Sequence, residues 1–332
     1  MNPVKLAMIG TGGMARYHIE SILKQTDTTQ VVAVCEPNPD NYAKTAQMFV
    51  DAGQPAPANE PDFEKFVADV APGVDAAFII TPHNQHCMQA SALLLAGVDV
   101  LLEKPMVLNV AEAHRLMEAR DRSGKLLTIA FNGSLSPSIR KAYKLLHSGE
   151  LGKILNINAA VWQGWAVNTT GTWRQIPEIA GGGFTFDTGA HLLNTVADLV
   201  GEPFVEVSAY LDNRGRPVDI LSAALARTAS GVMITLNGCG DTIRIGSDVR
   251  VMCEHGVLTT GVWGETLTLQ RPADTKPRKV RVAKSLGVWE TFLRVRAGEI
   301  ANPGPAEIGL RMIQLWNAIQ ASAAQGGAMV RI

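Results

Sequence analysis

The stretch "VKLAMIGTGGMARYHIESILK", residues 4–24, predicts how the chain begins to fold. Its short apolar run ends in glycines, which favours a buried strand, and the residues that follow have helical periodicity. In the pattern GxGxxA, Gly10 allows a tight turn, Gly12 lets the backbone approach a pyrophosphate, and Ala15 lets the helix pack closely on the strand. Glycine turns are common, but this one lies between a strand and a helix. The pattern therefore predicts a dinucleotide-binding turn made of Gly10, Thr11, Gly12, Gly13, Met14 and Ala15.

Apolar, strand-like segments alternate with periodic, helix-like segments through about residue 130. This alternation predicts an α/β fold with a doubly wound parallel Rossmann sheet, in a dinucleotide-binding domain over 1–130. Long β-rich runs at short spacing follow, and they predict a C-terminal α+β domain over 131–332 with a large, mostly antiparallel open sheet. We expect helices near 187–200 and 305–323 to cover one face of that sheet. The uncovered face predicts a homodimer or a homotetramer.

The composition is ordinary for a soluble globular protein: of 332 residues, 46% are hydrophobic and 18% are charged, and the formal net charge is −1. Because no basic block occurs, the sequence argues against nucleic acid or an anionic membrane as the main partner. The four cysteines form no CxxC pair or zinc-spaced cluster, which indicates reduced thiols of a cytoplasmic protein and no metal site. We expect no signal peptide, because "MNPVKLAMIG" lacks a charged segment followed by a long apolar one.

An acidic residue ends the second predicted strand. Glu36 follows Ala15 by 21 residues, where dinucleotide-binding folds place an acid on the adenosine ribose diol. A carboxylate there would repel a 2′-phosphate, and no basic residue follows until Lys44. The sequence therefore favours NAD over NADP as the cofactor. The alternative is that Glu36 is a solvated acid at a strand end.

Three further motifs complete a resemblance to a known family. They are "TPHNQH" (81–86), "EKP" (103–105) and "GGGFTFDTGAH" (181–191). With the glycine turn and Glu36, they occur in the order and at the spacings of the Gfo/Idh/MocA oxidoreductases, and the chain resembles that family over essentially its whole length. The resemblance implies a nicotinamide-dependent redox step on a polyhydroxylated substrate. It also implies that Lys104, Asp187 and His191 are the catalytic residues, with the cofactor contacted additionally by Thr81, Pro82, His86, Glu103 and Lys104.

The chemistry of hydride removal explains these residue types. An alcohol carbon loses hydride only as its hydroxyl proton leaves, and His191 is suited to accept that proton near neutral pH. The positive charge of Lys104 would stabilise negative charge on the same oxygen. Asp187 would bind a neighbouring hydroxyl or set the charge states of the other two. Residues four apart on a helix share a face, so Asp187 and His191 are expected to project together.

We expect the three glycines before Asp187 to let the backbone lie close to the substrate or the nicotinamide. The alternative is an ordinary glycine-rich loop, followed by an Asp187 that caps a helix and a His191 that packs in the core.

Substrate contacts are expected from Trp173 and Arg174, because aromatic faces stack on sugar rings and arginine binds hydroxyls or carboxylates. The chain also departs from the commoner family pattern at two places that lie near the substrate in such proteins. Many members have a basic residue where this chain has Asn132-Gly133-Ser134, and an aspartate where it has Asn194. The substrate of any one member therefore cannot be transferred to this chain, and we include Asn194 among the predicted substrate residues.

Three functions remain open from the sequence. The leading interpretation is an NAD-dependent dehydrogenase that acts on a secondary hydroxyl of a sugar, an inositol or a related polyol. The second is an NAD-dependent glycosidase, since relatives of this fold use transient oxidation of a ring carbon to permit elimination. The third is a non-catalytic regulator that senses NAD or a sugar, and an intact set of Lys104, Asp187 and His191 argues against it.

Overall fold

The computed structural model describes residues 2–332, and its internal contacts divide them into two compact units. The chain passes from the first unit to the second between Ala130 and Phe131, and a later segment, Trp289–Ala306, belongs to the first unit. The assignment of 1–130 to the dinucleotide and of 131–332 to substrate and assembly stays a prediction. By contacts, the first unit comprises 2–107, Ala111–Ala130 and Trp289–Ala306, and the second comprises Leu108–Val110, Phe131–Val288 and Glu307–Ile332.

The first unit contains a six-stranded parallel sheet with the strand order β3-β2-β1-β4-β5-β6. This order confirms the predicted doubly wound Rossmann sheet. Its strands are β1 (Val4–Ile9), β2 (Thr29–Cys35), β3 (Ala58–Asn59), β4 (Ala76–Ile79), β5 (Asp99–Leu102) and β6 (Leu127–Ile129). The helices in this part of the chain are α1 (Gly13–Ile22), α2 (Pro39–Asp51), α3 (Phe63–Lys65), α4 (His86–Leu95) and α5 (Val110–Ser123), with short turns at Phe66–Val70, Ala71–Gly73 and His83–Gln85.

The apolar composition of these strands reflects burial on both faces. In β1 the four residues from Leu6 to Ile9 are fully buried, as expected for a central parallel strand with helices on either side. The strand order reverses between β1 and β4, and ligands of open α/β sheets bind at such a switch point, outside the carboxyl ends of the strands. The turns at Gly10 and Thr81, which follow these two strands, therefore define the expected cofactor side of the sheet.

The second unit contains a nine-stranded sheet in the order β14-β13-β12-β11-β7-β10-β9-β8-β15, which is antiparallel except between β7 and β10. The predicted large, mostly antiparallel sheet is thus confirmed. The strands are β7 (Ile154–Trp162), β8 (Phe204–Asp212), β9 (Leu221–Thr228), β10 (Met233–Cys239), β11 (Gly246–Cys253), β12 (Gly256–Thr260), β13 (Leu267–Gln270), β14 (Arg278–Lys279) and β15 (Val330–Arg331). The helices that precede or interrupt them are α6 (Asn132–Leu135), α7 (Pro137–His147), α8 (Trp165–Asn168), α9 (Pro177–Ala180) and α10 (Gly189–Val200), with a 3₁₀ turn at Trp173–Gln175.

Two helices cover one face of this sheet, close to where the sequence predicted them. All twelve residues of α10 are buried, and the helix packs on β7 and β10. Helix α12 (Ala306–Ala324) follows α11 (Val288–Arg296), and the hydroxyl of its Ser322 accepts a hydrogen bond from the backbone N–H of Ala209 in β8. These contacts bury the inward-facing side chains of the strands.

Helix α11 was not foreseen from the sequence. Its Trp289 indole donates a hydrogen bond of 2.8 Å to the hydroxyl of Thr29, and Arg296 forms an ion pair with Asp99. Both partners belong to the Rossmann unit, and Thr29 lies 260 positions earlier in the chain. A helix stabilised by such distant contacts leaves a weak local signal in the sequence.

The four cysteines, Cys35, Cys87, Cys239 and Cys253, are all unpaired thiols. Burial, with smaller contributions from nearby carboxylates, raises the pKa of Cys35 to about 12 and that of Cys253 to about 11. Near neutral pH these two groups are therefore protonated and poor nucleophiles, in agreement with their interpretation as core residues. Among residues 2–332, none of the helices combines the length and the apolar character needed to cross a membrane.

The other face of the nine-stranded sheet exposes large apolar side chains. Tyr210, Leu225 and Met233 are 65%, 51% and 54% exposed, and the strand register places them on the same face. Three exposed apolar residues on adjacent strands are typical of an interaction surface rather than of a solvated sheet.

We expect the protein to form a homodimer or a homotetramer through this face. Met233→Lys should shift the light-scattering mass at micromolar concentration toward the monomer, because it places a charge in an apolar contact. Met88→Lys is the matched control, since Met88 is equally exposed (55%) but lies on α4 of the other unit. A monomeric wild-type protein would contradict the proposal.

Candidate active site

The glycine turn after β1 has the geometry that a dinucleotide site requires. Gly10 has a φ of +82°, and a Cβ at this position would lie 2.8 Å from the carbonyl oxygen of Ile80, so only glycine fits. A Cβ on Gly12, in contrast, would have no described atom within 4 Å. Gly12 precedes α1, and no side chain of the described residues caps that helix. The first-turn amides and the open space at Gly12 thus fit a pyrophosphate.

Glu36 is buried, which excludes the alternative of a solvated strand-end acid. Its Oε2 accepts hydrogen bonds from the backbone N–H (2.7 Å) and the hydroxyl (3.1 Å) of Thr11, and its Oε1 accepts one from the N–H of Asn38 (2.8 Å). These bonds hold the carboxylate at the glycine turn. Two carboxylate oxygens offer about four acceptor positions, so Glu36 retains the capacity to bind a ribose diol as well.

His86 supports the backbone on this side of the sheet. Its ring nitrogens lie 2.8 Å from the carbonyl oxygen of Pro105 and 3.0 Å from that of Thr81, and the side chain is fully buried. Burial lowers the pKa of His86, against the opposing effect of the two carbonyl groups. A neutral imidazole has one N–H, so it donates to only one of them. The imidazole therefore connects the loop at Thr81 with the loop at Pro105. A direct contact of His86, Thr81 or Pro82 with the cofactor stays a prediction.

Glu103 and Lys104 follow β5 at the same edge of the sheet. The Oε1 of Glu103 is hydrogen-bonded to the Nε2 of His18 on α1 (2.8 Å), and its Oε2 accepts a bond from the N–H of Lys104 (3.0 Å). Glu103 is buried, whereas Lys104 is partly exposed. The buried carboxylate therefore connects the end of β5 to α1 and fixes the backbone from which the Lys104 side chain extends.

In the second unit, Asp187 is held by two donors. The indole Nε1 of Trp165 lies 2.8 Å from its Oδ2, and the Nε of Arg174 lies 3.0 Å from the same oxygen. The Arg174 guanidinium also lies over the ring of Trp173, 4.6 Å from its centroid. Arg174 and Trp165 therefore position the Asp187 carboxylate. The sequence had suggested that Arg174 binds substrate, and that role stays a prediction.

Helix α10 begins at Gly189, so Asp187 lies in the preceding turn and not on the helix that carries His191. The expectation of a shared helical face was wrong in this respect. The physical reason is the carboxylate of Asp219, which accepts the amides of Gly183 (2.6 Å) and Thr185 (2.9 Å) and so shapes a separate turn before the helix. The amide of Asp187 in turn donates to the carbonyl oxygen of Gly183.

The three glycines are required by the protein's own packing, and the expected close approach to the substrate or the nicotinamide stays a prediction. Gly181 ends α9 with a φ of +75°. A Cβ on Gly182 would lie 2.6 Å from the ring of Trp316, and a Cβ on Gly183 would overlap the backbone of Asp219. Their lack of side chains lets the turn before Asp187 lie directly against Trp316 of α12 and the backbone of Asp219, which precedes β9.

His191 is largely buried beside two aromatic rings. The Phe131 ring meets it edge-on at a centroid distance of 6.1 Å, and the Trp263 ring lies at 5.6 Å with an angle of 59° between the ring planes. Trp263 was missed by the sequence analysis, because it lies 72 positions after His191 and belongs to no motif. A tryptophan in a short turn between two predicted strands was the only available signal.

The two departures from the family pattern contact each other. The Nδ2 of Asn194 donates to the Ser134 hydroxyl (2.8 Å), which donates to the Oδ2 of Asp198 (2.7 Å), and Arg140 pairs with that carboxylate. Ser134 and Asn194 are 0% and 1% exposed. Asn194 thus takes part in a buried network, and its role as a substrate residue stays a prediction. Among the described residues, no group of three His, Cys, Asp or Glu side chains could hold a metal ion.

Family models match most of the chain. Residues 4–131 match the oxidoreductase family with an NAD-binding Rossmann fold, and residues 139–259 match the GFO/IDH/MocA C-terminal domain. The chain belongs to the Gfo/Idh/MocA family. It is therefore an NAD-binding oxidoreductase, and the resemblance drawn from its motifs is confirmed.

Proteins of similar sequence align with most of the chain. Oxidoreductase P35 of Formosa agariphila is 26% identical over 81% of this chain and 82% of its own. Inositol 2-dehydrogenase 4 of Saccharopolyspora erythraea is 26% identical over 78% of this chain and 73% of its own. Some other matched relatives align over only about half of their length. An inositol dehydrogenase homolog from Azotobacter vinelandii, solved with NAD⁺, has the same fold, with a TM-score of 0.82, 18% identity and coverage of 100% of this chain and 98% of its own.

We expect NAD to bind more tightly than NADP, because the buried Glu36 carboxylate at the glycine turn repels a 2′-phosphate. Fluorescence titration of both cofactors measures the difference. Glu36→Ala should weaken NAD binding by about tenfold or more, since a hydrogen bond to a charged group contributes ~1.5–3 kcal/mol, and should narrow the gap to NADP. Glu20→Ala, at an exposed position on α1, is the control. Equal or tighter binding of NADPH by the wild type would contradict the assignment.

Proposed function

We propose that the protein is an NAD-dependent dehydrogenase that transfers a hydride between nicotinamide and a secondary hydroxyl of a sugar, an inositol or a related polyol. The observation that supports this most directly is the Asp187 carboxylate, which two donors hold four residues before His191. A carboxylate held by two donors is suited to bind one substrate hydroxyl, and an imidazole four positions later in the chain is suited to deprotonate another. The relatives named for inositol agree with this substrate class.

The glycine turn and Glu36 fit NAD, which when bound supplies the nicotinamide ring that accepts or returns the hydride. Side chains of the protein carry out proton transfer, charge stabilisation and substrate binding. We assign proton removal from the substrate hydroxyl to His191, which returns the proton in the reductive direction. Lys104 stabilises the negative charge that develops on the same oxygen. Asp187, whose Oδ2 accepts hydrogen bonds from Trp165 and Arg174, binds a neighbouring hydroxyl of the substrate.

A panel of inositols, aldoses, sugar acids and nucleotide sugars tests the function. We expect at least one cyclic polyol or sugar to produce an increase in NADH absorbance when NAD⁺ is supplied. Release of an aglycone from a glycoside without net NADH would instead identify an NAD-dependent glycosidase, because a glycosidase recycles its cofactor. Tight NAD binding with no turnover across the panel would favour a non-catalytic sensor.

The catalytic assignment predicts strong and separable effects. His191→Ala should lower kcat by ~10²–10⁴-fold and Lys104→Ala by ~10²–10³-fold. NAD affinity should stay nearly intact, because neither residue is proposed to hold the adenosine half of the cofactor. The double variant should lose less than the product of the two, because both act on one proton transfer. Asp187→Asn should have an intermediate effect, with a larger part in KM.

His255→Ala serves as the control for the histidine variant, because His255 is exposed in the turn between β11 and β12. Retention of near-wild-type kcat by His191→Ala between pH 6 and 9 would show that another group is the base.

A further inference from the structure

The turn between β12 and β13 places a tryptophan next to the proposed base. Two aromatic rings neighbour the His191 imidazole, and they differ in exposure. Phe131 is 1% exposed, whereas Trp263 keeps part of its surface exposed. Of the two, only the indole of Trp263 has surface left with which to contact a molecule that binds at His191.

Hydrogen bonds hold the backbone on both sides of this indole. The Thr195 hydroxyl donates to the carbonyl oxygen of Val262 (2.7 Å), and Thr195 lies one helical turn after His191 on α10. The carbonyl of Val262 also lies so close to Gly133 that no Cβ fits there. The backbone that precedes Trp263 is therefore tied to the same helix that carries the proposed base.

A second set of bonds connects the turn to β11. The N–H of Val262 donates to the Ser247 hydroxyl (2.9 Å), and the N–H of Trp263 donates to the Oε2 of Glu265 (3.1 Å). Ser247 donates its own hydroxyl hydrogen to the Oε1 of Glu265 (2.9 Å). Because the turn is bonded to both α10 and β11, the indole is presented at a set distance from His191 before any substrate binds.

A preorganised indole face recognises a particular kind of polyol. Pyranoses and cyclohexane polyols hold several C–H bonds on one face of a rigid ring, and such a flat apolar face stacks on an aromatic ring. An open-chain alditol of the same composition has no fixed flat face and would lose conformational freedom on stacking. The aromatic surface therefore discriminates by ring closure, while hydroxyl recognition is left to polar groups such as Asp187.

We propose that Trp263 is a specificity-determining residue that stacks on the ring of a cyclic polyol or pyranose substrate at His191. The proposal rests on the proposed function, which it deepens by naming the ring form of the substrate.

Kinetics on matched cyclic and open-chain substrates test the proposal. Trp263→Ala should lower kcat/KM for the best cyclic substrate by about tenfold or more, mainly through KM, and should change kcat/KM for an open-chain alditol by less than about twofold. Trp263→Phe should restore most of the cyclic preference, and it replaces the alanine variant if that variant fails to fold. Trp162→Ala is the matched control, because Trp162 is also partly exposed but ends β7 against Gly246. A structural role would affect both substrate classes equally, and that result would overturn the proposal.

Binding measurements separate this proposal from the proposed function. Saturation-transfer NMR on the NAD⁺-saturated protein, with myo-inositol and D-glucose as probes, should show binding to the wild type and to Trp162→Ala that Trp263→Ala loses. That binding pattern, without turnover of any substrate, would support stacking by Trp263 and reject the proposed dehydrogenase activity. Turnover of a cyclic substrate that is unaffected in Trp263→Ala would reject the stacking residue alone. No binding of either probe, together with no cyclic preference in turnover, would also overturn it.

Discussion

The carboxylate of Asp219 is the constraint on which the candidate site in the second unit depends. It accepts the amides of Gly183 and Thr185, and the backbone carbonyl of Asp219 accepts the amide of Phe184. Three consecutive amides of the turn are thereby directed at one residue. This arrangement is possible only because Gly183 has no side chain, since a Cβ would overlap the Asp219 backbone. This turn determines where Asp187 lies and where helix α10 begins.

Buried acids have the same role elsewhere in the molecule. Glu36 accepts bonds from the glycine turn, Glu103 connects β5 to α1, and Asp198 accepts Ser134 and Arg140. A buried carboxylate is costly unless donors surround it, so each of these acids requires a specific arrangement of neighbouring groups. Glu36 and Glu103 thereby fix loops at the ends of β2, β1 and β5, where backbone amides would otherwise lack partners. Loops positioned in this way are suited to hold ligand-binding groups without rearrangement.

The network of Ser134, Asn194 and Asp198 shows how this chain differs from the family pattern. Asn194 donates a hydrogen bond to the hydroxyl of Ser134, which ends the departing stretch Asn132-Gly133-Ser134. A full charge pair is still present, because Asp198, one helical turn after Asn194, pairs with Arg140. Ser134, Asn194, Asp198 and Arg140 thus form one buried network around helix α10, the helix that also carries His191.

The sequence by itself determined the Rossmann sheet, the glycine turn, the mostly antiparallel second sheet and the family, because these depend on local periodicity and on spacings within short motifs. Strand composition and the glycine requirement at Gly10 are local, so they can be read along the chain. Only the tertiary structure decided which atoms the glycines before Asp187 approach, that α11 returns to the first unit, and that Trp263 lies beside His191. Each of these depends on a contact between residues far apart in the chain, such as Gly183 with Asp219 or Thr29 with Trp289. Such contacts leave no period in the sequence, since packing and hydrogen bonding select them only after the sheets have formed.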